Sequence, residues 1–158
     1  SAKHGFTKIA NTVDVSSKSV TMDVQNGRGD EATVHQIGRI DTEKYSVVSK
    51  QIRTDEVVIT DERIEHIREH HPNDFERYSQ YISQMLFSPQ YILEDPVPNT
   101  AVLLQEFSEN DERFRLILRL AVFGDDQYKK NSVITFLKIS EKKFRKYIRN
   151  KKILYKSE

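Results

Sequence analysis

The sequence predicts an α+β domain in which N-terminal helices pack on an antiparallel β-meander. Apolar residues recur twice at helical spacing, between Asp61 and Leu86. Three runs of β-type residues follow between Ala101 and Ile139, separated by turn residues. A basic amphipathic segment, Glu141 to Arg149, closes the pattern.

Taken in order, residues 1–36 read as an N-terminal extension or linker, rich in Ser, Thr, Asn, Gly and Lys and poor in apolar periodicity. Asn26-Gly27-Arg28-Gly29-Asp30 is a strong turn signal, and the alternation from Val20 to Val24 leaves room for one hairpin. The domain proper is predicted over 37–158. Tyr45-Ser46-Val47-Val48 and Val57-Val58-Ile59-Thr60 are β-branched runs that read as strands. Thr60 or Asp61 caps a first helix with acids in its first turn, and Pro72 ends it near His70 or His71. Asn73, with Glu76 three residues on, reads as the cap of a second helix whose apolar side is Phe75, Tyr78, Ile82, Met85 and Leu86. Tyr91-Ile92-Leu93 is a short strand before a two-proline turn. The meander is Ala101–Phe107, Phe114–Val122 and Ser132–Ile139. The last helix carries a stripe of Phe144, Tyr147 and Ile148, and Ile153-Leu154-Tyr155 is a final apolar run.

A length of 158 residues suits one domain able to bury a core without covalent staples. There is no cysteine, which excludes a disulfide framework and any thiolate metal site. No apolar run reaches the roughly 18 residues of a transmembrane span, and no signal-peptide pattern opens the chain. Net charge is +1, but its distribution is uneven: residues 41–112 hold 16 acidic and 6 basic side chains, and residues 113–158 hold 14 basic and 4 acidic ones. An anionic partner for the basic third accounts for this, and so does a solvated lysine-rich tail.

His66, His70 and His71 lie within six positions, with His66 and His70 on one helical face. A zinc helix of the HExxH type needs Glu directly after the first His, but Ile67 stands there, and a third ligand has to come from His35 or a distant carboxylate. Glu65 and Glu69 read as a solvated helix face. No metal and no cofactor is therefore expected. Acid–base work suits imidazole, although histidines also favour the negative pole of a helix for structural reasons.

On the second meander strand, Phe114, Leu116, Leu118, Leu120 and Val122 share one face, and Arg113, Arg115, Ile117, Arg119 and Ala121 share the other. Unbroken parity on the third strand puts Ser132 and Lys138 with Ile134 and Phe136, and Thr135 on the opposite side. A face carrying Arg115, Arg119, Ser132 and Lys138 makes a cationic, hydroxyl-bearing floor suited to a phosphodiester. An ordinary half-solvated sheet has the same composition. Lys142, Lys143, Arg145, Lys146 and Arg149 on the last helix form a surface fit to track phosphates, with Arg115 beside it. Gly-rich phosphate loops, dinucleotide fingerprints and serine-nucleophile elbows are absent.

Four segments together resemble a known family: Val58 to Pro72, Tyr91 to Asp95, Asn131 to Ser140 and Arg149 to Lys156. They are similar to phage-associated nuclease toxin domains of the barnase, EndoU, colicin and RelE-like (BECR) superfamily, and the resemblance spans roughly 37–156. It implies helices followed by an antiparallel sheet, and a metal-independent ribonuclease used as a toxin module of a larger phage or polymorphic-toxin polypeptide. It carries over His66 and His71, with His70 a departure, and more softly Arg119, Ser132, Thr135 and Lys138. The expected function is RNA cleavage, tRNA included, by 2′-OH transphosphorylation. A histidine is acid or base, Arg119 and Lys138 steady the phosphorane-like charge, and Ser132 or Thr135 orients it. Expected partners are RNA and an acidic immunity protein, with no membrane. The expected site of action is cytoplasmic, reached in a phage particle or by delivery into a target cell. The alternative is a non-catalytic phage structural or nucleic-acid-binding module. An ADP-ribosyltransferase is disfavoured because no nicotinamide-binding arrangement is evident.

Overall fold

The computed structural model describes residues 20–23 and 31–158. Along the chain come β1 (Val20–Asp23), β2 (Glu31–Arg39), β3 (Glu56–Thr60), α1 (Asp61–His70), α2 (Phe75–Phe87), β4 (Tyr91–Glu94), β5 (Thr100–Phe107), β6 (Glu112–Arg119), β7 (Asn131–Ile139), α3 (Glu141–Asn150) and β8 (Ile153–Lys156). The strands form one sheet in the order β1-β2-β3-β7-β6-β5-β4-β8. The fold is α+β, and the predicted meander is β5–β6–β7, antiparallel throughout. Two features differ from the expectation. Strands precede the helices, and β3 runs parallel to β7, with Val57 opposite Asn131, so the sheet is mixed. A parallel pair needs a long crossover, here everything from α1 to β6.

Capping follows the sequence at α1, departs from it at α2, and at α3 is supplied by Ser140. Thr60 accepts a hydrogen bond from the Arg63 amide at 3.2 Å, and Ser140 accepts one from the Lys143 amide at 3.1 Å. Before α2, Asn73 takes a left-handed φ of 70° and Asp74 becomes the N-cap without a side-chain bond. Asn tolerates that conformation, so it forms the corner after Pro72 and does not cap. Tyr45 to Val48 is also no strand; Lys44–Val47 is a 3-10 turn. Fully burying the Tyr45 ring, with its hydroxyl donating to the Leu86 carbonyl at 2.7 Å, overrides the local β propensity.

The sheet buries both faces. On one, α1 and α2 place Ile64, Ile67, Tyr78, Ile82 and Met85 against Val57, Ile59, Leu116, Leu118 and Phe136. On the other, Phe144 of α3 packs on Leu93, Val102, Leu104 and Ile139. The centre of the first face is aromatic: Phe114 and Phe136 stack at 4.9 Å, with Tyr78 edge-on to both. Truncating a buried Phe of this kind costs about 3–5 kcal/mol.

The sheet takes in more of the N-terminal region than the composition predicted. Val34 and Ile37 are fully buried, and β2 pairs with β3, so residues 31–36 belong to the domain. β1 pairs antiparallel with β2, as the hairpin reading allowed. The turn at residues 26–30 lies outside the described residues. No helix among the described residues is long and apolar enough to cross a membrane.

Candidate active site

Two corners of the sheet carry the residues that the sequence singled out. At the first, α1 ends and Pro72 bends the chain, leaving His71 as the C-cap with φ −137° and ψ 68°. Its ring meets Tyr78 edge-on at 5.0 Å. The first turns of α2 set Arg77, Tyr78 and Tyr81 over the start of β6 and the end of β7. There Glu112, whose side chain is only 6% exposed, lies under two cations. It accepts hydrogen bonds from Arg77 Nη1, from Tyr81 at 3.3 Å and from Tyr78 at 3.5 Å, and pairs with Lys138 Nζ at 3.2 Å. Asn110 donates to the Tyr81 hydroxyl at 2.8 Å, and Asp74 holds the other Arg77 nitrogen at 3.4 Å.

The electrostatics of this corner follow from that packing. Burial opposes charge on Glu112, but the hydrogen bonds from Arg77 and Lys138 outweigh it and hold the carboxyl below its ordinary range. Burial, then Lys138, pushes the His71 imidazole below its ordinary value. Burial and Glu112 push the Tyr78 phenol up. Lys138 and Arg77 remain 45% and 37% exposed. The corner therefore presents an imidazole packed on Tyr78 and in the field of Lys138, with Lys138 and Arg77 both reaching solvent and both steadied by one buried carboxylate. Such a set can hold a phosphate and move a proton.

At the second corner, Arg119 Nε donates to Thr100 Oγ1 at 2.9 Å, and Thr100 in turn donates to the Pro98 carbonyl at 3.1 Å. Ser132 pairs with Arg119 across the strands and donates to the Lys130 carbonyl at 3.3 Å. Thr135 lies opposite Ile117, on the α3 face. The expected floor joining Arg115, Arg119, Ser132 and Lys138 is not formed. An irregularity between Val133 and Thr135, opposite Ile117 and Leu118, reverses the parity of β7. Ser132 is thus turned to the α3 face, while Lys138, paired with Phe114, stays on the α1/α2 face. Six residues of strand also separate them, roughly 20 Å at about 3.3 Å per residue. His71 and Arg119 do not share a cleft as expected: His71 meets Tyr78, and Arg119 meets Thr100 on the opposite face.

The remaining predicted residues divide in the same way. The His66 ring lies 4.3 Å from that of His70, one helical turn on. His35, the distant third ligand of the metal reading, is buried and bonded to Asp61. Arg115 is half-buried beneath α3, its guanidinium donating to the Tyr147 hydroxyl and lying 5.6 Å from that ring, which makes it a packing residue. Lys142, Lys143, Arg145, Lys146 and Arg149 are exposed along α3. A cleft of about 420 Å³ there is lined by Ser140, Lys142, Lys143, Lys146 and Tyr147 among others. It starts at Ser140, two positions after Lys138.

Sequence reasoning missed Glu112, Arg77 and Tyr81. For Glu112 a signal existed: it is in phase with Phe114 and Leu116, a lone acid on the core side of β6. Arg77 had none, because one charge beside an apolar helical stripe is ordinary.

Comparison with protein families decides the class. The family model described as phage-Barnase-EndoU-ColicinE5/D-RelE like nuclease2 matches residues 32–156. The chain belongs to this family. Its α+β domain is a nuclease domain of the BECR type, phage-associated by family, and the match includes β2, whose burial placed it in the domain. None of the curated proteins and none of the solved structures compared matches the chain.

Proposed function

We propose that this nuclease domain cuts RNA by internal transphosphorylation at the His71–Lys138 corner. The observation that carries the reading is an imidazole edge-on to Tyr78, in the field of Lys138, at the corner where Lys138 and Arg77 reach solvent while sharing one buried carboxylate. His71 takes the proton from a ribose 2′-OH. The 2′ oxygen bonds to the adjacent phosphorus as the bond to the 5′ oxygen breaks. That oxygen leaves with a proton from a second donor, for which His66 is the proposed group. The products are a 2′,3′-cyclic phosphate and a 5′-hydroxyl. Lys138 and Arg77 stabilise the charge growing on the phosphoryl oxygens, and Glu112 is a positioning residue that fixes both cations. The α3 cleft, opening two residues beyond Lys138, supports a path for neighbouring phosphates. Arg119, Ser132 and Thr135, on the other face, take no part in this step. As a toxin module, the domain is matched by an acidic immunity protein over this cationic path.

The test is incubation of the full chain with RNA, tRNA included, in EDTA, beside a substrate carrying one 2′-deoxy nucleotide at the cut. Cleavage of the first substrate only, leaving a cyclic phosphate and lost in His71→Ala, is the expected result. Cutting of the deoxy substrate overturns the mechanism. The run of cations on α3 favours a second reading, nucleic-acid binding without cleavage. Salt-sensitive RNA binding with intact RNA recovered would select it.

A further inference from the structure

We propose that the last turn of α1 is a binding site for a divalent transition-metal ion, held by His66, Glu69 and His70. The three residues stand at i, i+3 and i+4, positions that meet on one side of a helix. The nitrogen or oxygen that each offers lies within 4.8 Å of the other two. The two imidazole rings stand 4.3 Å apart at 38°, close enough to share one ion.

A second feature points the same way. His70 Nδ1 donates to the His66 carbonyl at 3.0 Å. That bond puts the proton on Nδ1, frees the Nε2 lone pair and fixes the ring, as outer hydrogen bonds do for metal-ligating histidines. His66 is half-buried, so less of its side-chain freedom remains to be lost. The site also sits at the negative end of α1, which favours a cation. Glu69 precedes the second histidine, whereas the base of an HExxH helix follows the first. Here the carboxylate is a ligand. Glu65 is engaged elsewhere, 3.4 Å from Arg68.

Two imidazoles and one carboxylate select zinc, nickel or copper over magnesium and calcium, which prefer all-oxygen sites. With Glu69 and His70 exposed, water completes the coordination sphere. The site shares His66 with the nuclease reading, but its binding test needs neither RNA nor His71, so the two can fail separately.

Calorimetric titration of the full chain with Zn²⁺, paired with visible absorption of the Co²⁺-loaded protein, tests it. One ion per chain is expected, with Mg²⁺ failing to compete. His70→Ala and His66→Ala should each weaken Zn²⁺ binding by at least about tenfold. Glu69→Gln, which preserves shape, should weaken it less. His4→Ala, which removes the histidine outside the described residues, should change nothing. Absence of binding, affinity untouched by both α1 histidine substitutions, or affinity lost with His4 would each overturn the site.

Discussion

The two ends of β7 carry similar side chains and make different things of them. At the Lys138 end, two cations share one buried carboxylate, so each is oriented while its head still reaches solvent. At the Ser132 end, Arg119 is bonded to Thr100, and Ser132 donates to a main-chain carbonyl. The first arrangement leaves donors for a ligand; the second commits them to the fold. The comparison teaches that a count of arginines and hydroxyls on a strand does not identify a phosphate site. What decides it is whether a buried counter-charge holds the cations in place without covering them.

The largest expected effect breaks or upholds that contrast directly. His71→Ala and Lys138→Ala should each lower the initial rate of RNA cleavage by about 10²-fold or more, the range of acid–base and charge-stabilising groups. Arg119→Ala should leave the rate within a few-fold. Equal losses at both corners in a cleavage assay would dissolve the distinction.

Next is Glu112. Glu112→Gln leaves Arg77 and Lys138 without their counter-charge, but both cations reach solvent, which softens the penalty. A loss of about 1–3 kcal/mol in urea unfolding is expected. The pH dependence follows from the same group. Its folded pKa is lowered, so the stability it contributes is fully present above its unfolded value and is lost as pH falls through the lowered folded one. Asp125 acts likewise at the other end of the sheet, held down by the Val122 amide. Urea midpoints should thus fall on acidification below about pH 4.3, the ordinary Glu value, and Glu112→Gln should flatten part of that slope.

Smaller still is the effect of the α3 surface. Lys143→Gln with Lys146→Gln should weaken RNA binding and reduce the slope of log affinity against log salt by roughly 0.7 for each phosphate no longer neutralised. An unchanged slope would remove α3 from the RNA path. Zn²⁺ inhibition comes last. If the ion takes His66 and His66 supplies the second proton, Zn²⁺ should slow cleavage, and the concentration giving half inhibition should be at least about tenfold higher in His70→Ala.

Much was legible in the chain because its signals are local. The cap at Thr60, the stop at Pro72, the period-two runs of the meander and the amphipathic stripe of α3 each act within a few residues of themselves. They sufficed for the fold class, and the resemblance of four segments pointed to the nuclease family. They also placed His71 and Lys138 among the residues to watch. Less was legible where distant chain meets. The 3-10 turn at Tyr45 depends on a carbonyl 41 residues away, at Leu86. The parallel pairing of β3 with β7 joins strands separated by the whole crossover.

The sequence by itself determined the helices, the order of the meander and the chemistry available: imidazoles, guanidinium groups, amines and no thiols. Only the tertiary structure decided which of those groups meet. One irregularity in β7 turned Ser132 to one face of the sheet and left Lys138 on the other, and a corner at Asn73 carried Arg77 over Glu112. Strand parity is a local rule that one extra residue reverses, and the pairing of a buried carboxylate with its cations is settled by packing across 26 to 35 residues of chain.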